Sequence, residues 1–351
     1  MFRSDRKFAT ALAPASVGNV AVGFDLLGHA LRGAGDWVTA RLSEQPGVRI
    51  LEVTGCVTEL PNDVAKNTAG AAVIAMLAGL LDGPASDSSG VGCKTEVGVE
   101  LSIHKGIPMS SGMGGSAASA VAAVVALNAL LAEPLPILKL YPYALAGEVV
   151  ASGGWHGDNV AASLLGGLTL CHQNPKKLPL RLAVPGQLRC VLIHPDIQIR
   201  TAEARAILPR EVPLSTAVGQ NANLAWLLAG CQSGRLDWIR GALVDLMIEP
   251  HRRALIPGFE DVKQAALDHG ALGCSISGAG PSVFAWFAAD SQPLATIPEQ
   301  ATIPEQGTLP GQAPIPERAA DAMVAAFGRH QVTATALISP VDCPGVQVLP
   351  A

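Results

Sequence analysis

The chain has 351 residues, 49% of them hydrophobic and 15% charged, with a formal net charge of −5. Such a length supports two domains, or one large one, with an ample core. The mild negative charge and lack of a basic patch argue against a nucleic-acid partner, and the seven scattered cysteines, odd in number and without a Cys-x-x-Cys pair, argue against zinc and disulfides and for a reducing cytoplasm.

The charged start, Met1 to Lys7, leads into an apolar stretch that Pro14, Ser16, Gly18 and Asn19 break too early for a signal peptide. The most apolar run, Ala117 to Leu131, is too short to span a bilayer, so the expectation is a soluble cytoplasmic chain with no membrane partner. Phe8 to Leu12 predicts a first strand running into a polar turn from Ala13 to Asp25, where Asn19 and Asp25 stand among small residues. A plain loop would hold those two groups equally well. Strands are predicted at Trp37 to Leu42 and Val48 to Val53, a helix from about Asp63 to Leu81, and a surface loop over Gly83 to Gly92.

Gly98 to Lys105 alternates Val99, Leu101 and Ile103 against Glu100, Ser102 and His104, the period of a half-buried strand. The run Ile107 to Ser119 carries three glycines and four serines and leads into an Ala/Val/Leu helix beginning near Ser116. A strand, a glycine loop and a helix N-terminus make an anion site, because first-turn N–H groups lack partners, the dipole favours negative charge and glycine lets the backbone come close. The spacing excludes a Walker P-loop and a Gly-x-Gly-x-x-Gly fingerprint, and by itself the loop serves equally well as a tight turn into a buried helix.

Pro136 to Ala151 predicts a helix carrying Glu148, which as a lone carboxylate on an apolar segment is expected to be solvated. Gly153 to Gly167 gathers His156, Asp158 and Asn159 in apolar surroundings, a clustering that points to function. A strand at Arg189 to His194, the run Arg200 to Arg205, and helices at Ala217 to Cys231 and Leu236 to Leu246 follow, with Gln220, Asn221 and Asn223 expected as surface polars. Ile248 to Arg253 opens another helix or loop, Phe259 to His269 is amphipathic, and Cys274 to Phe287 reads as strand, glycine turn, strand. The repeats Thr296 to Gln300, Thr302 to Gln306 and Pro314 to Arg318 mark a Pro-rich, flexible insert over about 293–318. A helix (Ala319 to Phe327) and a strand (Val332 to Ser339) close the pattern.

Three stretches resemble the GHMP kinases: Ala13 to Leu27 their first motif, Pro108 to Ala118 their Pro-x-x-x-Gly-Leu-Gly-Ser-Ser-Ala-Ala loop, and Gly273 to Phe284, with Ser277, their third. Within that family, His156 to Gly167, the Thr201/Arg205 pair and Glu249 to Gly258 resemble the homoserine kinase branch. The resemblance implies an α+β fold of two domains, residues 1–171 ribosomal protein S5 domain 2-like and residues 172–351 ferredoxin-like, with the site in the cleft between them. It also implies transfer of the ATP γ-phosphate to the side-chain hydroxyl of L-homoserine, a step toward threonine. The alternatives are a mevalonate- or shikimate-type kinase, or a nucleotide-binding protein that has lost catalysis.

On that resemblance the ATP-binding set is Asn67, Pro108, Ser110, Ser111, Gly112, Met113, Gly114, Gly115, Ser116, Ala117 and Ala118. Magnesium falls to Ser116 and Glu148, a hydroxyl and a carboxylate that suit an ion which keeps waters. The substrate set is Asn19, Asp25, His156, Asn159, Thr201, Arg205 and Arg252, because paired guanidiniums suit a carboxylate. Asn159, Ser116 and Glu148 are the expected catalytic residues. Two departures stand out: Gly115 occupies the position of a family serine, and Asn159 stands where mevalonate-type kinases place an aspartate base. The second implies that the phosphate takes the hydroxyl proton, with Asp158 as the other candidate base. A homodimer is compatible with the resemblance.

Overall fold

The computed structural model describes residues 1–57, 60–61, 63–82, 97–288 and 315–350. Strands β1 (Phe8–Gly18) and β2 (Leu27–Ser43) form a long antiparallel hairpin, with a register shift between Pro14 and Ser16. The first strand is therefore longer than the sequence predicts, because Ala9, Ala11, Ala13, Ala15 and Val17 are all buried and the pairing survives Pro14. β3 (Gly47–Gly55) runs parallel to β4 (Gly98–Lys105), which pairs antiparallel with β2. The short β5 (Leu168–Leu170) and β6 (Leu180–Leu182) extend the other part of β2.

The second sheet has four antiparallel strands in the order β10-β7-β9-β8: β7 (Leu188–Pro195), β8 (Gly273–Ile276), β9 (Val283–Ala288) and β10 (Ala334–Pro340). Last, β11 (Gln347–Val348) returns to β1, completing a seven-stranded first sheet. The continuous apolar run of β9 is explained by its two covered faces. Phe284 and Trp286 point into the core shared with the first sheet, whereas Val283, Ala285 and Phe287 join a second core with Val262, Met323 and Phe327.

α1 (Thr68–Asp82) follows a 3₁₀ turn at Val64–Lys66, so the expected single helix is broken at Asn67, whose Oδ1 caps α1 through Ala69 N (3.0 Å). α2 (Gly115–Asn128) is enclosed, with every residue from Ala117 to Asn128 buried; its alanines let β1, β2, α1 and α3 (Tyr141–Ser152) pack closely around it. α4 (Asp158–Leu165) covers the β1–β2 hairpin. α5 (Thr201–Ala206), α6 (Leu214–Ser233), α7 (Leu236–Ala242) and α8 (Glu249–Arg252) precede α9 (Phe259–Asp268) and α10 (Ile315–Arg329), which cover the second sheet.

α10 starts four residues before the predicted helix, so 315–318, expected in the Pro-rich insert, are helical; Pro316 sits in the first turn, where its missing N–H costs nothing. The rest of that insert, and the predicted loop from 83 to 92, lie outside the described residues. Gln220 is a correction: it is buried, not a surface polar, with Nε2 donating to Val22 O (3.2 Å) and to Asp245 Oδ1 (3.1 Å). Among the described residues no helix is long and apolar enough to cross a membrane.

Candidate active site

Three chain segments meet at one cleft of about 540 Å³. The loop from Ile107 to Gly114 joins β4 to α2, the turn from Asn19 to Asp25 joins β1 to β2, and residues 277–282 join β8 to β9. Hydrogen bonds lace them together: Ser16 N donates to Met113 O (3.0 Å), Ser277 Oγ to Gly112 O (2.7 Å), Ser282 N to Ser111 O (3.2 Å) and Gly278 N to Gly18 O (3.1 Å). Gly112 and Gly114 have φ of 76° and 69°, and a Cβ at Gly112 would stand 2.5 Å from Ser277 O. Only glycine fits that close approach.

The loop ends at the N-terminus of α2 with no side-chain cap, which leaves first-turn N–H groups facing the cleft. Behind it Lys105 is buried, ion-paired with buried Asp36, and donates to Gly115 O (2.9 Å) and Ser119 Oγ (2.9 Å). Asp36 Oδ1 accepts from Gly106 N (3.1 Å) and Ile107 N (3.2 Å), so one carboxylate fixes the loop's entry and, through Lys105, the first turn of the helix. Lys105 and Asp36 lie outside the motifs quoted above. The available signal was Lys105 continuing the inward series Val99, Leu101, Ile103, since a cation on the buried face of a strand needs a partner.

Of the expected nucleotide residues, Asn67, Pro108 and Ser110 to Ser116 line the cleft. Asn67 already spends its carbonyl oxygen on the α1 cap. Ala117 and Ala118 lie outside the lining, with buried side chains, and the Ala118 amide donates to Gly114 O (2.9 Å). A Cβ at Gly115 would stand 3.2 Å from Ile107 Cγ2, a tight contact that a serine could make only if Ile107 shifts by a few tenths of an ångström.

Glu148, expected solvated, is buried instead, which corrects the reading of it as a lone surface carboxylate. Burial pushes its carboxyl up to about 7, partly opposed by a hydrogen bond with Ser116 and further raised by Asp158. Asp158 is also raised, by burial and by Asp25, against hydrogen bonds from the amides of Asn159 and Asn19. Asn159 Oδ1 accepts from Ser16 Oγ (2.9 Å), and its Nδ2 donates to Asp158 Oδ1 (3.3 Å).

The substrate candidates converge at the turn. Asn19, Val20, Ala21 and Asp25 all have positive φ, and Asn19 Oδ1 accepts from Asp25 N (3.1 Å) while its Nδ2 donates to Gly278 O (2.8 Å). Four non-glycine residues in the left-handed region are held only because both sheets fix the turn. Asp25 accepts two bonds from Arg205 (2.6 and 3.2 Å) and faces His156 Nδ1 at 3.5 Å. Burial alone would raise Asp25, but His156 and Arg205 outweigh it and hold the carboxyl at about 2. Arg205 Nη2 also lies 3.1 Å from His156 Nδ1, so the imidazole tautomer decides whether that nitrogen serves Arg205 or Asp25. Arg252 is buried, donating to Ala204 O (3.0 Å) and Gly278 O (2.9 Å). Burial and Arg205 lower it to about 10. Thr201 is exposed at the start of α5 and lines the same cleft.

Residues 85–167 match the GHMP kinases N terminal domain and residues 227–300 the GHMP kinases C terminal domain. The chain is 45% identical over 341 residues to a homoserine kinase of Xanthomonas campestris pv. campestris, covering 97% of this chain and 94% of that protein. It is 39% identical to a homoserine kinase of Chlorobium phaeobacteroides, covering 98% and 100%. A crystal structure of homoserine kinase from Cytophaga hutchinsonii superposes with a TM-score of 0.84 at 37% identity, covering 99% of both chains.

Proposed function

The chain belongs to the homoserine kinases of the GHMP kinase family, and on that premise we propose how its cleft moves the ATP γ-phosphate to the side-chain hydroxyl of L-homoserine. The fold is the two-part α+β GHMP kinase fold, and the reaction is phosphotransfer from ATP to homoserine on the way to threonine, in preference to a mevalonate or shikimate reaction.

Phosphoryl transfer asks mainly for positioning and charge stabilisation. The amides between Ser110 and Ser116, at the start of α2, hold the polyphosphate, and the Asp36–Lys105 pair keeps that loop from moving. The hydroxyl of Ser116 beside the buried carboxyl of Glu148 is a hard-oxygen pair that fits Mg²⁺, and the carboxyl raised to about 7 has a charge that a cation would stabilise. Among the described residues no group of three or more His, Cys, Asp or Glu side chains could hold a metal, so the site suits an ion that draws its other ligands from phosphate and water. Ser116 and Glu148 would hold such an ion where its charge could offset that of the transferred group.

The observation that carries the substrate reading is the Asp25–Arg205 pair beside Arg252. An anion and a guanidinium that satisfy each other at 2.6 Å can each exchange that partner for the opposite end of a zwitterion. The ammonium of homoserine goes to Asp25, and its carboxylate to Arg205 and Arg252. Asn159 orients the hydroxyl through an amide locked by Ser16, and an amide cannot accept the proton, which passes to the phosphate. The test is Arg252→Ala in a coupled ADP-release assay. KM for homoserine should rise about 100-fold or more, with KM for ATP little changed, because a charge-assisted contact is lost; equal rises in both constants would sink the assignment.

A further inference from the structure

Arg205 and Arg252 present a physical difficulty that their own hydrogen bonds do not resolve. Two guanidinium groups are gathered in one partly buried site, and each raises the cost of the other's charge. Asp25 compensates Arg205, but in the substrate complex Asp25 is drawn toward an ammonium. Among the described residues Arg252 donates to two carbonyl oxygens, those of Ala204 and Gly278, and the carboxylates of Asp25, Asp245 and Asp158 act on it only at a distance.

One side chain touches both cations. The Cζ atoms of Arg205 and Arg252 each lie 5.3 Å from the centroid of the Phe24 ring. Phe24 lines the cleft and sits on the left-handed turn immediately before Asp25. That turn is fixed from both sides, by Gly23 N donating to Asn19 O (2.9 Å) and by Gln220 Nε2 donating to Val22 O (3.2 Å). The ring is thus delivered to the guanidinium pair by backbone that has little freedom to yield.

We propose that Phe24 is a positioning and specificity residue: its ring sets the separation and orientation of Arg205 and Arg252, so that together they form a fork for a substrate carboxylate. The negative quadrupole of an aromatic face attracts both cations, and it remains in place when Asp25 turns to the ammonium. Unlike a second carboxylate, it carries no net charge to compete with the substrate for the guanidiniums. The inference rests on the assignment of Arg205 and Arg252 to the carboxylate and goes beyond it by naming what keeps the pair open for that ligand.

The experiment compares the full-length protein with Phe24→Leu, Phe24→Tyr, and a form carrying pentafluorophenylalanine at position 24, which keeps the ring's shape and reverses its quadrupole. Kinetics are measured with L-homoserine and with its carboxamide, which keeps the ammonium but lacks the carboxylate charge. Leucine and the fluorinated ring should each raise KM for homoserine about ten-fold, with KM for ATP unmoved, and should narrow the preference for homoserine over the carboxamide; tyrosine should stay within about three-fold of phenylalanine. A fluorinated ring that behaves like phenylalanine overturns the proposal and leaves Phe24 as a packing residue. Arg252→Ala in the same assay separates the two layers. If it loses the preference for homoserine over the carboxamide while the fluorinated form keeps it, only the Phe24 inference fails. If Arg252→Ala keeps the preference, the carboxylate fork fails and Phe24 with it. Should Phe24→Leu fold poorly, the fluorinated form makes the same measurement with an aromatic ring still filling the site.

Discussion

Ser116 and Glu148 show how burial sets chemistry one residue at a time. A carboxyl raised to about 7 from an ordinary 4.5 is destabilised as an anion, so in the cation-free protein its contribution to stability falls as pH rises through that interval. A divalent cation reverses the balance by stabilising the anion. Ser116→Ala should therefore lower kcat by about 10²-fold or more and raise the Mg²⁺ concentration needed for half-maximal rate, and in the native protein that concentration should climb as pH drops below 7. Unchanged turnover, or a flat magnesium requirement across that interval, would remove the metal role from this pair. Glu148 was opaque to composition, because an isolated acid on an apolar helix reads as solvated. Only the packing of α3 against α1 and α2 turns it inward, and the family motif was what singled it out.

At the scale of elements, the legible parts were those whose pattern is local. β4 runs from Gly98 to Lys105 as its alternation predicts, and α2 starts at Gly115, one residue from the predicted start. Both are set by side-chain period and by glycine, which act within a few residues. β1 and β2 run well past their predicted ends, since the polar and small residues from Ala13 to Gly18 and from Leu27 to Asp36 become strand only by pairing with each other. β5, β6 and β11, of two or three residues each, carry no readable period and exist because a neighbouring edge is available. Gln220 shows the same limit from the other side: helical spacing made it a surface residue, and contacts to Val22 and Asp245, 198 and 25 residues away, make it a buried link between the turn from Asn19 to Asp25 and the segment leading to α8. The motif residues of the cleft were legible because glycine, proline and paired polar residues in fixed order survive the loss of three-dimensional context. Phe24 was not, since its meaning comes from Arg205 and Arg252, distant in sequence.

For the whole molecule, we propose the division at residues 1–171 and 172–351, with β6 and β11 as returns of the second part onto the sheet of the first. His29 ties the two sheets. Its Nδ1 donates to Ala30 O (2.9 Å), and its Nε2 accepts from Trp286 Nε1 (3.1 Å) on β9, an arrangement that requires a neutral ring. Burial pushes His29 down to about 4. The unfolded chain takes up this proton near pH 6.5 and the folded one does not, so the contribution is complete above about 6.5 and is lost as pH falls toward 4, on the order of 3 kcal/mol. His29→Leu should lower the melting temperature at neutral pH and flatten its decline between pH 6.5 and 4; parallel curves for the two proteins would show that the histidine is not the titrating strut. The cleft between these sheets is the claim on which all else depends, and the most direct measurement is ADP release with homoserine, mevalonate, shikimate and galactose supplied in turn. A kcat/KM for homoserine at least about 100-fold above each of the others is the predicted result, as expected when a site's buried charges go unpaired with the wrong ligand; comparable or faster turnover of mevalonate or shikimate would contradict it.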